Sequence, residues 1–131
     1  MKIREIELTS TKDIELIEVT KHIQAFVNEV EQQDGLLNIY IPHSTAGITI
    51  NEAADHDVKV DLQFALRRLS PKLREYMHVE GNSHAHFLSS IVGCSTTIPF
   101  SNKKLLLGKW QGVFFCEFDG PRERKMIISI N

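Results

Sequence analysis

Residues 110–130, WQGVFFCEFDGPRERKMIISI, carry the strongest strand and turn signals of the chain. Two apolar runs, Trp110–Asp119 and Lys125–Ile130, have the composition of β-strands, and the turn-forming sequence Asp119-Gly120-Pro121 lies between them. Strands joined by a tight turn pair in the antiparallel sense. The stretch therefore predicts an antiparallel hairpin.

Four charged side chains surround this turn. Glu117 and Asp119 are two residues apart and share one face of the first strand, because successive strand residues point to opposite faces. Arg122 and Arg124 are also two residues apart, on the other side of the turn. The pattern favours an ion-pair ladder between the acids and the guanidinium groups. The alternative is that both arginines bind a phosphate or carboxylate, which their bidentate donors match well.

The rest of the chain predicts further strands and two main helices. No strand–crossover–strand alternation with a glycine-rich loop occurs, which argues against a doubly wound parallel sheet. We predict a single α+β domain over residues 1–131, with mostly antiparallel β-sheets in a sandwich-like arrangement. The other expected elements are a hairpin of Lys2–Thr9 and Ile14–Thr20, strands at Leu36–Ile41, Gly47–Ile50, Cys94–Pro99 and Leu105–Leu107, the two helices from Thr20 to Asp34-Gly35 and from Asp55 or Asp57 to Leu69, and a short segment through Val92.

The second main helix is apolar around much of its circumference, which predicts burial on more than one side. Asp61 falls on its apolar face. A buried carboxylate needs a partner, so we expect Asp61 to contact a site residue, a backbone donor or an arginine. The alternative is an edge position with the carboxylate in water.

Composition limits the class of protein. The chain has 131 residues, a formal net charge of −2 and 42% apolar residues, which are typical of a soluble globular domain and give no basic excess for binding nucleic acid or a membrane. The N-terminus alternates charged and apolar residues where a signal peptide has a continuous apolar run, so we predict a cytoplasmic location. Cys94 and Cys116 lie in apolar segments and predict reduced, buried thiols.

Histidines concentrate in two stretches, IPHSTAGITINE (41–52) and YMHVEGNSHAH (76–86). A catalytic zinc site uses three protein ligands and an open position, and His43, His78 and one of His84 or His86 are the candidates. If the segment from Ser83 is helical, residues two apart point about 200° apart, so only one of the last pair can face the site. The alternative for each histidine alone is a polar position on a turn.

Two further stretches are candidates for ligand contact. Ser44 and Thr45 offer hydroxyl groups and small-residue backbone that can cradle an anion. Trp110-Gln111-Gly112 is a candidate pocket wall, but a lone tryptophan in an apolar strand favours burial in the core.

The motifs HSTAGITINE, YMHVEGNSHAH and GKWQGVFFCEFDGPRER closely resemble the YjbQ-like family of small bacterial and archaeal proteins, sometimes named secondary thiamine-phosphate synthases. The resemblance covers almost the whole chain. It implies a homotrimer whose sheets pack about the threefold axis, and a cleft that binds a divalent metal ion, with zinc favoured over magnesium, on His43, His78 and His86. His84 occupies a position that the family pattern leaves variable. Other residues on the pattern are Asn51, Glu52, Asp61, Glu80, Asn82, Gln111, Glu117, Asp119, Arg122 and Arg124.

The resemblance implies a metal-dependent enzyme that acts on a small phosphorylated substrate. The named candidate reaction joins hydroxymethylpyrimidine diphosphate to a thiazole phosphate and releases pyrophosphate. The candidate catalytic residues are Glu52 or Glu117 as proton carrier and Arg124, with Arg122, to neutralise the leaving group. Two alternatives stay open, a metal-assisted hydrolase and a non-catalytic trimer that binds a small ligand. The candidate substrate-binding residues are Ser44, Thr45, Asn82, Gln111, Arg122 and Arg124.

Overall fold

The computed structural model describes residues 1–131 as eight strands and three helices. The α+β class is as predicted, but the segment before Val92 is a third helix as long as the first, whereas two main helices were expected. The strands are β1 (Lys2–Thr9), β2 (Glu15–Glu18), β3 (Gly35–Tyr40), β4 (Ala46–Glu52), β5 (Ser95–Ser101), β6 (Lys104–Leu105), β7 (Gln111–Glu117) and β8 (Glu123–Ile130), and the helices are α1 (Thr20–Glu29), α2 (His56–Leu69) and α3 (Ser83–Val92).

The strands form two sheets, and every pair is antiparallel. One sheet has the order β1-β8-β3-β5-β6 and the other β2-β7-β4. Both predicted hairpins are wrong, because β1 pairs with β8 and β2 pairs with β7. Residue alternation shows which side chains share a face, but it does not show which strand lies alongside.

Two short segments carry the chain between the sheets, one after β1 and one after β7. They lie side by side: the Ser10 amide donates to the carbonyl of Arg122 at 2.9 Å, and the Gly120 amide donates to that of Asp13 at 3.0 Å. A Cβ atom on Gly120 would stand 2.1 Å from the Lys12 carbonyl oxygen, so this contact requires glycine. The crossing segments hold the ends of β7 and β8 close together although these strands are in different sheets.

The main core lies between the two sheets and α1, and a smaller apolar cluster lies beneath α2 and α3. Phe115 of β7 points into the main core, and Phe114 and Cys116 belong to the smaller cluster. Every residue of β7 from Gly112 onward is buried. The apolar side chains of this strand are covered within the single chain, because they belong to the two apolar clusters.

The second helix begins after Asp55, whose carboxylate accepts a hydrogen bond from the Asp57 amide at 2.9 Å. The expected burial on more than one side is wrong for the single chain, since α2 contains no buried residue. Asp61 is exposed, so its carboxylate lies in water at an edge position. None of the three helices is both long and apolar enough to span a bilayer. Large exposed apolar side chains in α2, α3 and the segment between them are Val60, Phe64, Leu69, Leu73, Tyr76, Met77, Val79, Phe87 and Ile91.

Both cysteines are free thiols. Cys116 is buried as predicted, and burial raises its pKa to about 12. Cys94 is exposed, contrary to the prediction, because it follows Gly93 at the turn from α3 into β5 rather than inside a strand.

Candidate functional site

A polar cleft of about 320 Å³ opens where the loop before β4, the start of α3 and the segment between β7 and β8 meet. Apart from Pro42, its lining is polar. A second cavity of about 260 Å³ adjoins it along β1 and β8 and shares two residues with it, His43 and Arg124. Residues from the three sequence motifs thus meet in one place. The cleft is lined by Pro42, His43, Ser44, Thr45, Glu80, Asn82, His86, Arg122 and Arg124.

Arg124 is 6% exposed and is held from behind by Glu117, which is fully buried. Its Nε donates to Glu117 Oε1 at 2.9 Å, and its Nη2 donates both to Glu117 Oε2 and to the Thr45 hydroxyl. The remaining nitrogen, Nη1, has no hydrogen-bond partner. Nη1 is not among the fully buried atoms that lack a partner, which are Asn82 Oδ1 and His84 Nδ1, so it keeps some contact with solvent. Arg124 lines both cavities, and Nη1 is its one guanidinium nitrogen that no protein group occupies.

The Glu117 carboxylate accepts four hydrogen bonds in all. Besides the two from Arg124, Ser10 Oγ donates to Oε1 at 2.6 Å and the Asp119 amide donates to Oε2 at 3.0 Å. Burial by itself raises the pKa of Glu117, but the hydrogen bonds from Arg124, Ser10 and the Asp119 amide, with the Arg124 charge, bring it below its ordinary value. Glu117 is therefore ionised at neutral pH and fixes the orientation of Arg124.

Arg122 lies at the mouth of the cleft and is also paired along one edge. Its Nη2 donates to Asp119 Oδ2 at 2.6 Å and to Glu80 Oε2 at 3.0 Å, and its Nε donates to the Asp119 carbonyl at 2.8 Å. Both acid–arginine pairs predicted from the sequence thus form, Arg122 with Asp119 and Arg124 with Glu117. They form around a crossing between sheets and not across a hairpin.

Asn82 lines the cleft at the position before α3, and only 6% of its surface is exposed. It is the N-cap residue by position, but its side chain makes no cap hydrogen bond. Its Nδ2 instead donates to Glu80 Oε2 at 3.0 Å and to Asp119 Oδ2 at 2.8 Å, and its Oδ1 is left without a partner. A flipped amide would place the oxygen against two carboxylates, so this orientation is the favourable one.

The predicted histidine ligands lie in one region. His43 and His86 line the cleft, and the rings of His78 and His86 are edge-to-face with centroids 5.4 Å apart. However, no group of three histidine, cysteine or carboxylate side chains is arranged to hold a metal ion. Nε2 of His43 already accepts a hydrogen bond from the Lys125 amide at 3.0 Å. The three rings as arranged therefore do not fit a common ion.

Comparison with known proteins shows the family to which the chain belongs. The model of the family described as UPF0047 protein YjbQ-like matches residues 4–131. The chain belongs to the YjbQ-like UPF0047 family. A UPF0047 protein of Methanocaldococcus jannaschii is 49% identical over 124 residues, which cover 95% of this chain and 90% of that protein. The UPF0047 protein YugU of Bacillus subtilis is 44% identical over 129 residues, which cover 98% of each.

Solved structures of YjbQ-like proteins have the same fold. The crystal structure of an uncharacterized YjbQ/UPF0047 protein from Clostridium acetobutylicum is 46% identical, with a TM-score of 0.94, and the match covers 98% of this chain and 99% of that one. A hypothetical protein from Aeropyrum pernix gives the same TM-score at 32% identity, over all of this chain and 98% of its own. These descriptions name no substrate or reaction, so the function has to be argued from the cleft.

His84 of this YjbQ-like protein does not line the cleft, although His86 does. Both lie on α3, and the helix turns residues two apart to different sides, as predicted. Burial and the positive charge of Lys72 lower the pKa of His84. The sequence-based choice between the two histidines is therefore consistent with the geometry of the helix.

Two other predicted site residues, Glu52 and Gln111, lie away from the cleft. Ala46 pairs with Glu117 at the cleft end of β4, and Glu52 pairs with Gln111 at the other end. Six strand residues at about 3.3 Å each separate the two ends by roughly 20 Å. Glu52 lines a different cavity and accepts a hydrogen bond from the Ala54 amide at 2.8 Å. In a single chain, neither residue can contact a small ligand in the cleft.

Sequence reasoning missed two contributors to the site. Ser10 supports Glu117 through its hydroxyl, and Lys125 supports His43 through its backbone amide. A serine in the break after a strand is an ordinary turn residue, and a backbone amide has no sequence signal at all. Both contributions depend on which strands become neighbours.

Proposed function

We propose that this YjbQ-like protein binds a small phosphorylated molecule in the cleft. The observation that carries the proposal is the free Nη1 edge of Arg124, a guanidinium otherwise buried and held by Glu117 and Thr45. A guanidinium fixed in advance loses little side-chain entropy when it binds an oxyanion, and its planar donors match phosphate. The Ser44 hydroxyl on the same cleft supplies a further donor.

The balance of charge supports a cation beside the phosphate. Glu117 neutralises Arg124, whereas Arg122 faces two carboxylates, those of Glu80 and Asp119. The site therefore has one carboxylate more than it has guanidinium groups, before any ligand binds. We propose that the phosphate binds with a divalent cation, zinc or magnesium. The adjacent rings of His78 and His86 would supply two ligands, and the phosphate oxygens and water would supply the others.

The proposed reaction is a transfer on a phosphorylated substrate, with thiamine-phosphate synthesis as the named candidate. Arg124 and Arg122 would stabilise charge that develops on a diphosphate leaving group. Because Glu117 is fully buried and fully hydrogen-bonded, its role in this proposal is to position Arg124 and not to carry a proton. Proton transfer then falls to Glu80, an ionisable group on the cleft wall that is not assigned to the cation. The free arginine edges argue against the alternative of a purely structural ion-pair cluster.

Calorimetric titration with inorganic phosphate, pyrophosphate and thiamine precursors tests the proposal. Replacement of Arg124 by Met should weaken pyrophosphate binding by roughly 1.5 to 3 kcal/mol, the scale of one charged hydrogen bond. The variant R124K keeps a positive charge beside Glu117 but lacks the second N–H edge, and it should lose most of the same affinity. Arg4→Lys, in a remote surface ion pair, is the control. Unchanged anion affinity in folded R124K would overturn the proposal.

Metal analysis of the untagged protein, with and without pyrophosphate, tests the cation. We expect about one zinc or magnesium ion per chain when the anion is bound. Stoichiometric metal together with hydrolysis of pyrophosphate would favour the alternative of a metal-assisted hydrolase. Absence of metal under both conditions would contradict the metal-dependent mechanism and leave the binding of phosphate to be judged separately.

We further propose a homotrimer, as the family resemblance implies. Nine large apolar side chains on α2, α3 and the segment between them are exposed in the single chain, and contact with neighbouring subunits would remove them from water. Light scattering at micromolar concentration should give about three times the 15.0 kDa chain mass. A monomer mass would refute this proposal. The cytoplasmic location and the lack of nucleic-acid partners stay predictions from the sequence.

A further inference from the structure

We propose that His43 is a neutral hydrogen-bond donor to the bound phosphate, fixed by the backbone of β8 in the tautomer that carries its proton on Nδ1. The inference rests on the proposed function, because it names a second donor of the same anion site. It assigns His43 to the phosphate and not to the metal ion.

The Lys125 amide lies on β8 beyond the point where the pairing with β3 ends. Strand β8 pairs with β3 from Leu37 opposite Ile130 as far as Tyr40 opposite Ile127. The register would next place residue 42 opposite Lys125, but β3 ends at Tyr40 and residue 42 is a proline. The His43 ring takes the place of the missing strand, and its Nε2 accepts the Lys125 N–H at 3.0 Å.

The hydrogen bond from Lys125 determines which ring nitrogen of His43 carries the proton. A backbone amide is always a donor, so Nε2 of His43 must offer a lone pair. A neutral imidazole has one N–H and one lone pair, and the proton is therefore on Nδ1. Turning the ring by 180° would put a carbon atom opposite the Lys125 amide and leave that amide without a partner. The contact thus selects both the orientation of the ring and its tautomer.

The other ring nitrogen of His43, Nδ1, remains available to a ligand. Nδ1 of His43 has no partner in the protein, and it is not among the buried atoms that lack one. The ring lines both the cleft and the adjoining cavity, and Arg124 lines both as well. His43 and Arg124 thus line the same two cavities, and each carries one nitrogen that no protein group occupies, Nδ1 of His43 and Nη1 of Arg124. Each is anchored from behind, His43 by Lys125 and Arg124 by Glu117.

Fixed donors of this kind recognise a ligand that offers acceptors, and the ionised oxygens of a phosphate are such acceptors. A metal ion would instead need a lone pair on His43. It could obtain one only if Nε2 released the Lys125 amide or if Nδ1 lost its proton. The His78–His86 pair does not depend on this choice and stays available to a cation.

Nitrogen NMR of the full untagged chain, labelled with ¹⁵N-histidine, reads the tautomer directly. We expect the His43 signals to show a protonated Nδ1 and an unprotonated Nε2 in the free protein. Added inorganic phosphate should shift the Nδ1–H proton, and added zinc should leave both His43 nitrogens unshifted. A protonated Nε2, or a zinc-induced shift of the His43 nitrogens, would overturn the inference.

Two variants test separately the role of Nε2 as acceptor for Lys125 and the role of Nδ1 as donor to phosphate. His43→Asn keeps an N–H donor near the position of Nδ1 but loses the acceptor for Lys125, whereas His43→Gln can keep the acceptor and loses the donor. We expect H43N to bind phosphate within about threefold of wild type and H43Q to bind about tenfold more weakly, as for one lost hydrogen bond. The stability order should be the reverse. His22→Asn, an exposed position on α1, is the matched control.

Equal loss of affinity in H43N and H43Q would overturn the donor role of His43, while phosphate binding by wild type would still support the proposed function. If wild type itself binds no phosphate, the proposed function fails and the donor role fails with it. The NMR spectrum of the free protein reports the His43 tautomer without any ligand, so it tests the tautomer independently of phosphate binding.

Discussion

Replacement of Glu117 by Gln changes one charge in the most buried ion pair of the protein. The substitution keeps the size of the side chain, so packing is preserved. A Gln oxygen in place of Oε1 can still accept from Ser10 Oγ and Arg124 Nε. The amide nitrogen in place of Oε2 is a donor, and it would face two other donors, Arg124 Nη2 and the Asp119 amide. Two hydrogen bonds are lost, and Arg124 keeps a charge without its counter-ion.

The size of the effect follows from those contacts. A hydrogen bond to a charged group contributes about 1.5 to 3 kcal/mol, so two lost bonds predict a loss of roughly 3 to 6 kcal/mol. Breaking a buried ion pair by removing one partner costs about 3 to 5 kcal/mol by an independent route. We therefore expect E117Q to lower the free energy of unfolding by about 3 to 5 kcal/mol at pH 7.

Urea unfolding followed by circular dichroism measures this difference. Glu5→Gln, in an exposed ion pair with Lys125, is the matched control and should unfold like wild type. The difference between E117Q and wild type should shrink at low pH, where wild-type Glu117 becomes protonated. A loss below about 1 kcal/mol at pH 7 would show that Glu117 does not hold Arg124 in place. A loss that does not change with pH would show that shape, and not charge, is responsible.

Other measurements test the electrostatics and the thiols. The pKa of Glu117 in the folded protein is below its ordinary value of 4.5, so its contribution to stability is complete above pH 4.5 and is lost as the pH falls through the lower folded-state value. The urea concentration at the midpoint of unfolding should decrease as the pH is lowered from 7 to 3, and a constant midpoint would contradict this. A thiol reagent at pH 8 should modify Cys94 within minutes, and Cys116 only after unfolding, because burial raises the Cys116 pKa to about 12. The variant C94S should then show no reactive thiol in the native state.

The sequence predicted the positions of helices and strands better than it predicted which strands pair with each other. The helix from Asp55 to Leu69 and the strands on either side of Gly120 lie close to where the patterns placed them, because capping, alternation and turn residues are local signals. Strand partners were wrong at both ends of the chain. Glu15 pairs with Glu117, about a hundred residues away, and no local pattern specifies such a partner. The order of strands depends on how two crossing segments pack, which requires the whole chain.

The same limit explains the outcome for the site. Arg122 and Arg124 were paired with Asp119 and Glu117 from spacing alone, since all four residues surround one turn. Helix geometry predicted that only one of His84 and His86 faces the site, the family resemblance selected His86, and His86 is the one that lines the cleft. Glu52 carried the same kind of motif signal but lies at the far end of its strand. Membership of a motif does not locate a residue, because the strand register decides at which end of the strand it lies.

The crossing of the two sheets has a consequence for the synthesis of the protein. Ser10 joins Glu117 and Arg122, which follow it by 107 and 112 positions. A chain emerging from the ribosome therefore carries β1 and β2 without their partners until β8 and β7 have been added. The cleft does not exist on any nascent chain that stops before β8, because Arg122 and Arg124 line it. A product truncated before β8 would present unpaired strands and would lack the proposed ligand site.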